Sequence, residues 1–237
     1  MLLIRSLIFN IAFFTTIAVA LFLGMPLVFF DKKYVFIFWK HLSRILNFIT
    51  EKIGGINFSI ANEENLLQEP AIYALRHEST WETLILIHKF KDPIFILKEE
   101  LLRIPLFGTL SRKAETIAVD RNHGMKALIY AARRVERSIK EGHHVVIFPE
   151  GTRSSPGEYV SLKRGIAMFY ERSNCSVVPV VHNAGTFWPR RGFIKRPGKI
   201  IVSFLPPIAA GLSRDEFMDK LNEAFRQEIE KMKFLEG

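Results

Sequence analysis

The sequence predicts an α/β domain, a mixed and largely parallel sheet flanked by helices, behind an N-terminal membrane-associated helical hairpin. Three observations predict it. Past residue 54, seven short β-rich runs alternate with stretches of helical periodicity, and strands that alternate with helices pair largely in parallel. Residues 6–30 contain no charge at all. The chain is also basic, with 33 Lys and Arg against 24 Asp and Glu, a formal charge of +9. That balance favours an anionic partner. Hydrophobic residues make up 49% and charged ones 24%, which excludes both a disordered chain and a polytopic membrane protein. A single cysteine, Cys175, excludes a disulfide framework and any multi-cysteine zinc or iron–sulfur centre.

The first element is the uncharged run, long enough to cross ~30 Å of hydrocarbon as a helix. Gly24 and Pro26 interrupt it, so the segment either spans the bilayer or re-enters it. A cleaved signal peptide is the rival reading. It requires a shorter apolar region and a small-x-small exit, and none precedes Asp31. A second helix follows, in which Val35, Phe38, Trp39, Leu42, Ile45, Leu46, Ile49 and Ile53 recur at spacings of three and four. Lys40, Arg44, Asn47 and Glu51 take the other face. Directly behind an apolar run, this amphipathic pattern reads as an element lying in a membrane interface; the alternative is a helix facing a protein core. Lys32, Lys33, Lys40 and Arg44 outnumber Arg5 on the far side. By the positive-inside rule the remainder faces the cytoplasm, at the plasma or inner membrane. Residues 1–53 are thus read as the anchor and 54–237 as the α/β domain.

Strands are expected at 56–60, 71–75, 94–97, 116–119, 144–148, 177–181 and 199–204. Helices are expected at 81–90, 125–140, 162–172 and 214–235. The last opens on Ser213-x-x-Glu216, a capping box in which each residue satisfies the other's free amide. Residues 183–198 form the longest irregular stretch, and Arg133, Arg134 and Arg137 read as a solvated helix face.

In parallel sheets ligands sit beyond the carboxyl ends of strands. Two unusual polar segments fall there: Arg76-His77-Glu78-Ser79-Thr80-Trp81-Glu82 and Phe148-Pro149-Glu150-Gly151-Thr152-Arg153-Ser154. Five steps on a regular helix separate side chains by about 140°, so His77 and Glu82 meet only with His77 in the loop and Glu82 on the helix. A carboxylate on one imidazole nitrogen raises the basicity of the other, a general base for a hydroxyl. Gly151 permits close backbone approach, Thr152 and Ser154 offer hydroxyls, and Arg153 offers a bidentate grip on phosphate. Lys98, Arg121, Lys163 and Arg164 flank strand ends and enlarge this anion pocket. No P-loop, dinucleotide glycine fingerprint or nucleophile elbow occurs, and the remaining histidines show no metal-ligand spacing.

These segments carry a resemblance. His77-Glu78-Ser79-x-x-Glu82, then Lys98-Glu99-Glu100-Leu101 through Ile104-Pro105-x-Phe107-Gly108 to Ile117-Ala118-Val119-Asp120-Arg121, then the Phe148–Ser154 segment with Lys163 and Gly165, and last Val178-Pro179-Val180 resemble, in order, the four blocks of the glycerolipid acyltransferases. Within them the closest likeness is to the 1-acylglycerol-3-phosphate acyltransferases. The resemblance implies fatty acyl transfer from acyl-CoA or acyl-carrier protein to the free hydroxyl of a lysophosphatidic acid, 1-acylglycerol-3-phosphate, giving phosphatidic acid. It implies His77 and Glu82 as the catalytic pair, and Lys98, Arg121, Glu150, Gly151, Thr152 and Arg153 as substrate-binding residues. It implies no cofactor beyond the thioester, no nucleic acid, and a membrane hairpin as a family feature. Backbone amides near Gly151 or the start of the Glu82 helix would steady the tetrahedral oxyanion. Two positions depart from the family pattern: Glu82 replaces its Asp, and Glu115 stands where it has Gly. Another lysolipid acceptor, a non-catalytic anionic-lipid-binding protein, and a hydrolase using Ser79 or Ser154 are the competing readings.

Overall fold

The computed structural model describes residues 1–120 and 124–236, with side chains through 233. The most apolar runs make the centre of the sheet. β2 (Ile72–Leu75), β5 (Val145–Ile147) and β6 (Val177–His182) are buried at every position, as expected for strands covered on both faces. With β1 (Ile56–Ala61), β3 (Ile94–Lys98), β4 (Ile117–Val119) and β7 (Gly198–Phe204) they form one sheet in the order β1-β7-β6-β2-β5-β3-β4. Every pairing is parallel except β6 with β7. All seven expected strands are present, within two residues at each end.

The helices show more differences. α1 (Leu2–Gly24) and α2 (Lys32–Ile49) form the hairpin, turned by a short 3₁₀ segment containing Pro26. Arg5 Nε reaches the carbonyl of Ile53 at 2.7 Å, and Gly24 lies against the Phe38 ring. The two helices therefore run antiparallel. The expected 81–90 helix is α-helical only as α3 (Trp81–Ile85) and tightens to 3₁₀ over Leu86–Lys89. α4 (Phe107–Lys113) has no counterpart in the sequence reading. α5 (Gly124–Lys140) matches, whereas α6 (Gly165–Ser173) starts three residues late, because Lys163 N–H is drawn to the Pro149 carbonyl at 2.8 Å. α7 (Ala184–Phe187) is a single turn in the irregular stretch. α8 (Arg214–Glu236) begins at the capping box, where Ser213 N–H donates to Glu216 at 3.0 Å and Glu216 N–H to Ser213 Oγ at 3.3 Å.

α2 overturns one expectation. Val35, Phe36, Trp39, Leu42 and Leu46 are buried, and Ser43 Oγ donates to the Ile85 carbonyl at 2.6 Å. The apolar stripe thus covers the body rather than lying in a membrane interface, and it braces the short helix carrying Glu82. α1 differs. Only Ser6, Phe9, Phe13, Leu21 and Gly24 are buried, and Leu3, Ile4, Ile8, Ile11, Phe14, Phe22 and Leu23 are exposed by half or more. A helix from Leu2 to Phe29 with mean hydropathy 2.3 is long and apolar enough to cross a membrane, and this exposed apolar face is consistent with membrane association.

Glu115 resolves the departure at that position. Its φ of +59° lies in the left-handed region, which costs a residue with a Cβ about 1 kcal/mol or more and explains glycine as the family's usual choice. The Glu115 carboxylate meets Lys32 at 2.7 Å, and its carbonyl accepts from Arg134 at 3.4 Å. These contacts hold the strained turn against α2 and α5.

Candidate active site

The sheet register assembles the site. β2 lies between β5 and β6, with Ala74 opposite Ile147 and Leu75 opposite Val180. Continuing both parallel strands by three residues sets His77 beside Glu150. His77 N–H donates to Glu150 Oε2 at 2.7 Å, and Ser154 N–H returns to the His77 carbonyl at 2.8 Å. The two polar loops are therefore bonded to each other.

Glu82, on the first turn of α3, is fully buried, and its Oε1 lies 2.7 Å from His77 Nδ1. The Ser79 amide donates to both its oxygens at 2.9 and 3.1 Å, and the Glu78 amide to Oε1 at 3.1 Å. Burial alone would push this carboxyl up. The His77 hydrogen bond, the electrostatic effect of the neighbouring His182 and His77 rings and the Ser79 amide together outweigh it and hold Glu82 below the usual carboxylate range. An ionised Glu82 fixes the proton of His77 on Nδ1 and leaves Nε2 as the acceptor. The ring is stacked on Phe148 with centroids 4.2 Å apart, and it lines the cavity described next.

That cavity has a volume of about 710 Å³. Its polar lining includes His77, Gly151, Thr152, Arg153 and Lys163, and its apolar lining includes Phe95, Leu97, Phe107, Leu128 and Phe169 with Phe36 and Trp39 of α2. A lining that joins many apolar side chains to a few charged ones suits a long hydrocarbon with a charged head. Gly151 has φ +72°, a conformation open to glycine at little cost.

A match to the family model described as Acyltransferase covers residues 57–183. The chain is 33% identical over 198 residues to the 1-acyl-sn-glycerol-3-phosphate acyltransferase of Pseudomonas aeruginosa, an alignment covering 84% of this chain and 77% of that one. The chain belongs to the acyltransferase family. It is also 30% identical over 178 residues to the enzyme of the same name from Saccharomyces cerevisiae, covering 71% of this chain and 58% of that one. Its fold matches the crystal structure of the 1-acyl-sn-glycerophosphate (LPA) acyltransferase PlsC from Thermotoga maritima with a TM-score of 0.82, at 22% identity over 98% of both chains.

In this acyltransferase the residues singled out from sequence fall into three groups. His77, Lys98, Gly151, Thr152 and Arg153 line the cavity. Arg153 Nε is buried with no hydrogen-bond partner, and burial pushes its guanidinium below the ordinary value. Glu82 and Glu150 stand behind the cavity, each bonded to the His77 loop. Arg121 lies outside the described residues. Of the amides around those two positions, Glu78 and Ser79 donate to Glu82 and Gly151 donates to the Phe148 carbonyl at 3.0 Å.

Two supports of the loop were not evident in the sequence. Arg76 and Glu78 form an ion pair at 2.6 Å with each side chain 1% exposed. Arg76 also donates to the Glu158 carbonyl at 2.8 Å, and Gly185 N–H donates to Glu78 at 2.9 Å. His182 Nε2 donates to the Arg76 carbonyl at 2.8 Å and Nδ1 accepts from the Ala184 amide at 3.2 Å. Both ring nitrogens are used, so His182 is a neutral structural residue. Elsewhere Glu115, Glu141 and His143 bring three ligand atoms within 4.8 Å of one another. Lys32 and Arg137 already pair with those two carboxylates, so the cluster carries no metal site.

Glu150 makes the site pH-sensitive in a defined direction. Burial pushes its carboxyl up to about 8, against the nearby Arg76 charge and the bonds from His77 and Ser154. The folded state therefore holds this proton more tightly than the unfolded chain, where glutamate titrates near its ordinary 4.5. The stability it contributes is fully present below that value and drains as pH rises to about 8, at no more than about 1.4 kcal/mol per pH unit. Glu150→Gln mimics the protonated form. Its denaturation midpoint should fall less between pH 5 and 8 than that of the wild type; equal slopes would assign the pH dependence elsewhere.

Proposed function

We propose that this acyltransferase moves a fatty acyl group from acyl-CoA or acyl-carrier protein to the free hydroxyl of 1-acylglycerol-3-phosphate, giving phosphatidic acid for phospholipid synthesis. The observation that carries this reading is the His77–Glu82 pair on a largely apolar cavity that Arg153 also lines. His77 Nε2 takes the hydroxyl proton as the acceptor oxygen attacks the thioester carbonyl. The tetrahedral intermediate collapses, the C–S bond breaks, and the departing thiolate recovers the proton from the imidazolium. Glu82 holds the ring through both steps. No acyl-enzyme and no resident cofactor are required, since the thioester is already activated. Arg153 and Lys98 hold the acceptor phosphate, so positioning supplies much of the rate. The exposed face of α1 meets the bilayer, and the positive charge following it favours a cytoplasmic body.

The test is turnover of the detergent-solubilised protein with each thioester donor against acceptors with and without a phosphomonoester. A guanidinium forks onto two phosphate oxygens and an ammonium does not. Arg153→Lys should therefore raise KM for the phosphomonoester acceptor about ten- to a hundredfold, with a smaller effect on donor KM. Equal loss on both kinds of acceptor would favour a different lysolipid.

A further inference from the structure

A second guanidinium faces the same cavity, from a segment that lies outside all four family-like blocks. Arg190 lines the cavity with His77 and Arg153, and its charge is felt by Arg153, whose guanidinium it further disfavours. Among the described residues neither arginine has an ion-pair partner. Lys98, Arg153, Lys163 and the exposed Arg190 line this cavity with one acidic residue, Asp120, and Glu82 offsets part of the repulsion that Arg153 feels from Arg190. The excess of positive charge suits a doubly charged anion.

Residues 189–195 are built to hold Arg190 in place. Gly192 N–H closes a turn on the Pro189 carbonyl at 3.0 Å, and a Cβ on Gly192 would fall 2.5 Å from Pro189. Arg191 sits at φ +57°, a strained conformation for a residue with a side chain. Lys195 is 3% exposed and turns its ammonium back into the loop, donating to the Gly192 and Phe193 carbonyls at 2.6 and 3.1 Å. Burial brings this ammonium down to about 8.

The brace on the other side is α1. Asn10 Nδ2 donates to the Phe193 carbonyl at 3.0 Å, the Lys195 amide donates to Ser6 Oγ at 3.0 Å, and Trp188 packs edge-on to Phe9 and Phe13 at 5.1 and 4.9 Å. Ser6 and Asn10 are the uncharged polar side chains in the first half of an apolar helix, and both bond to this loop.

We propose that Arg190 is a specificity-determining contact for the phosphomonoester of the acceptor, and that α1, through Ser6 and Asn10, is the element that positions it. The proposal rests on the acceptor assignment above and deepens it. The apolar helix then does more than attach the protein to lipid: it sets where a lipid phosphate is gripped relative to His77.

The experiment uses the full-length protein in mixed micelles with saturating acyl-CoA. It compares lysophosphatidic acid with lysophosphatidylglycerol, whose phosphate is a diester. Arg190→Gln should raise KM for lysophosphatidic acid about tenfold, change KM for the diester less, and leave kcat and donor KM within about twofold. Asn10→Ala should raise the same KM severalfold with Arg190 present and add nothing in the Arg190→Gln background. That non-additivity is a coupling which mere loosening of the fold would not produce. An unchanged KM for lysophosphatidic acid in Arg190→Gln, with the wild type active on it, overturns this proposal and leaves the function standing. A rise confined to donor KM also overturns it, since the phosphates of CoA would then be what Arg190 reads. A wild type inactive on lysophosphatidic acid refutes the function itself, and this proposal with it.

Discussion

His77→Ala should lower kcat by about 10²–10⁴-fold while the protein stays folded and lipid-associated. The structure gives the reason. Nδ1 is committed to Glu82, His77 lines the cavity, and His182, 3.9 Å from Glu82, has both nitrogens engaged. Among the described residues no other imidazole lines the cavity. The ring's stacking on Phe148 is lost, but the two backbone bonds of residue 77 to Glu150 and Ser154 do not need the side chain, so the loop should keep its path. Steady-state turnover with unchanged circular dichroism checks both halves. Near-wild-type turnover would remove the general base from the mechanism.

Glu82→Gln should cost nearly as much in rate, about a hundredfold or more, through a different fault. Three amide–carboxylate bonds and the imidazole all converge on a carboxylate that only accepts. A glutamine brings two donors into that set. Either it faces the Ser79 amide donor to donor, or it turns its NH₂ to Nδ1 and drives the imidazole proton to Nε2, the wrong tautomer for a base. The loss should fall on kcat with KM little changed. Glu82→Asp keeps the charge and should retain part of the rate. Glu78→Gln separates the two carboxylates. It strands the buried Arg76 guanidinium, so it should destabilise the fold by about 3–5 kcal/mol with a smaller effect on the kcat of folded protein. The reverse ranking would show that the wrong carboxylate has been paired with the base.

The sheet was readable because buried parallel strands announce themselves as short runs of Val, Ile and Leu; 177–181 and 144–148 could be little else. The His77–Glu82 contact was also accessible, since a five-residue spacing works only across a loop-to-helix junction. α4 was not. Pro105 and Gly108 punctuate that segment, and Gly108 is required because a Cβ would strike the Leu102 carbonyl at 1.9 Å. The α2 stripe was correctly seen but wrongly covered: periodicity reports that a face is apolar, not whether lipid or protein lies against it. Glu150 enters the site through the family resemblance, and what the sequence does not reveal is that the carboxylate accepts from the His77 amide and from Ser154. Arg190 carried no local signal, because its place depends on contacts with residues near the other end of the chain.

Those contacts have a consequence for the order of assembly. Asn10 and Ser6 meet Phe193 and Lys195 across 183 and 189 residues, and β1 finds its partner in β7, the last strand made. At the usual pace of synthesis, 5–20 residues per second, α1 leaves the ribosome about ten to forty seconds before the loop it braces. Through that interval its long oily surface has no protein to lie on. On the function proposed above, a bilayer would supply the shelter, and the pocket would be finished at its surface. Acylation competence would then arise in place, at the surface where the lipid acceptor already resides.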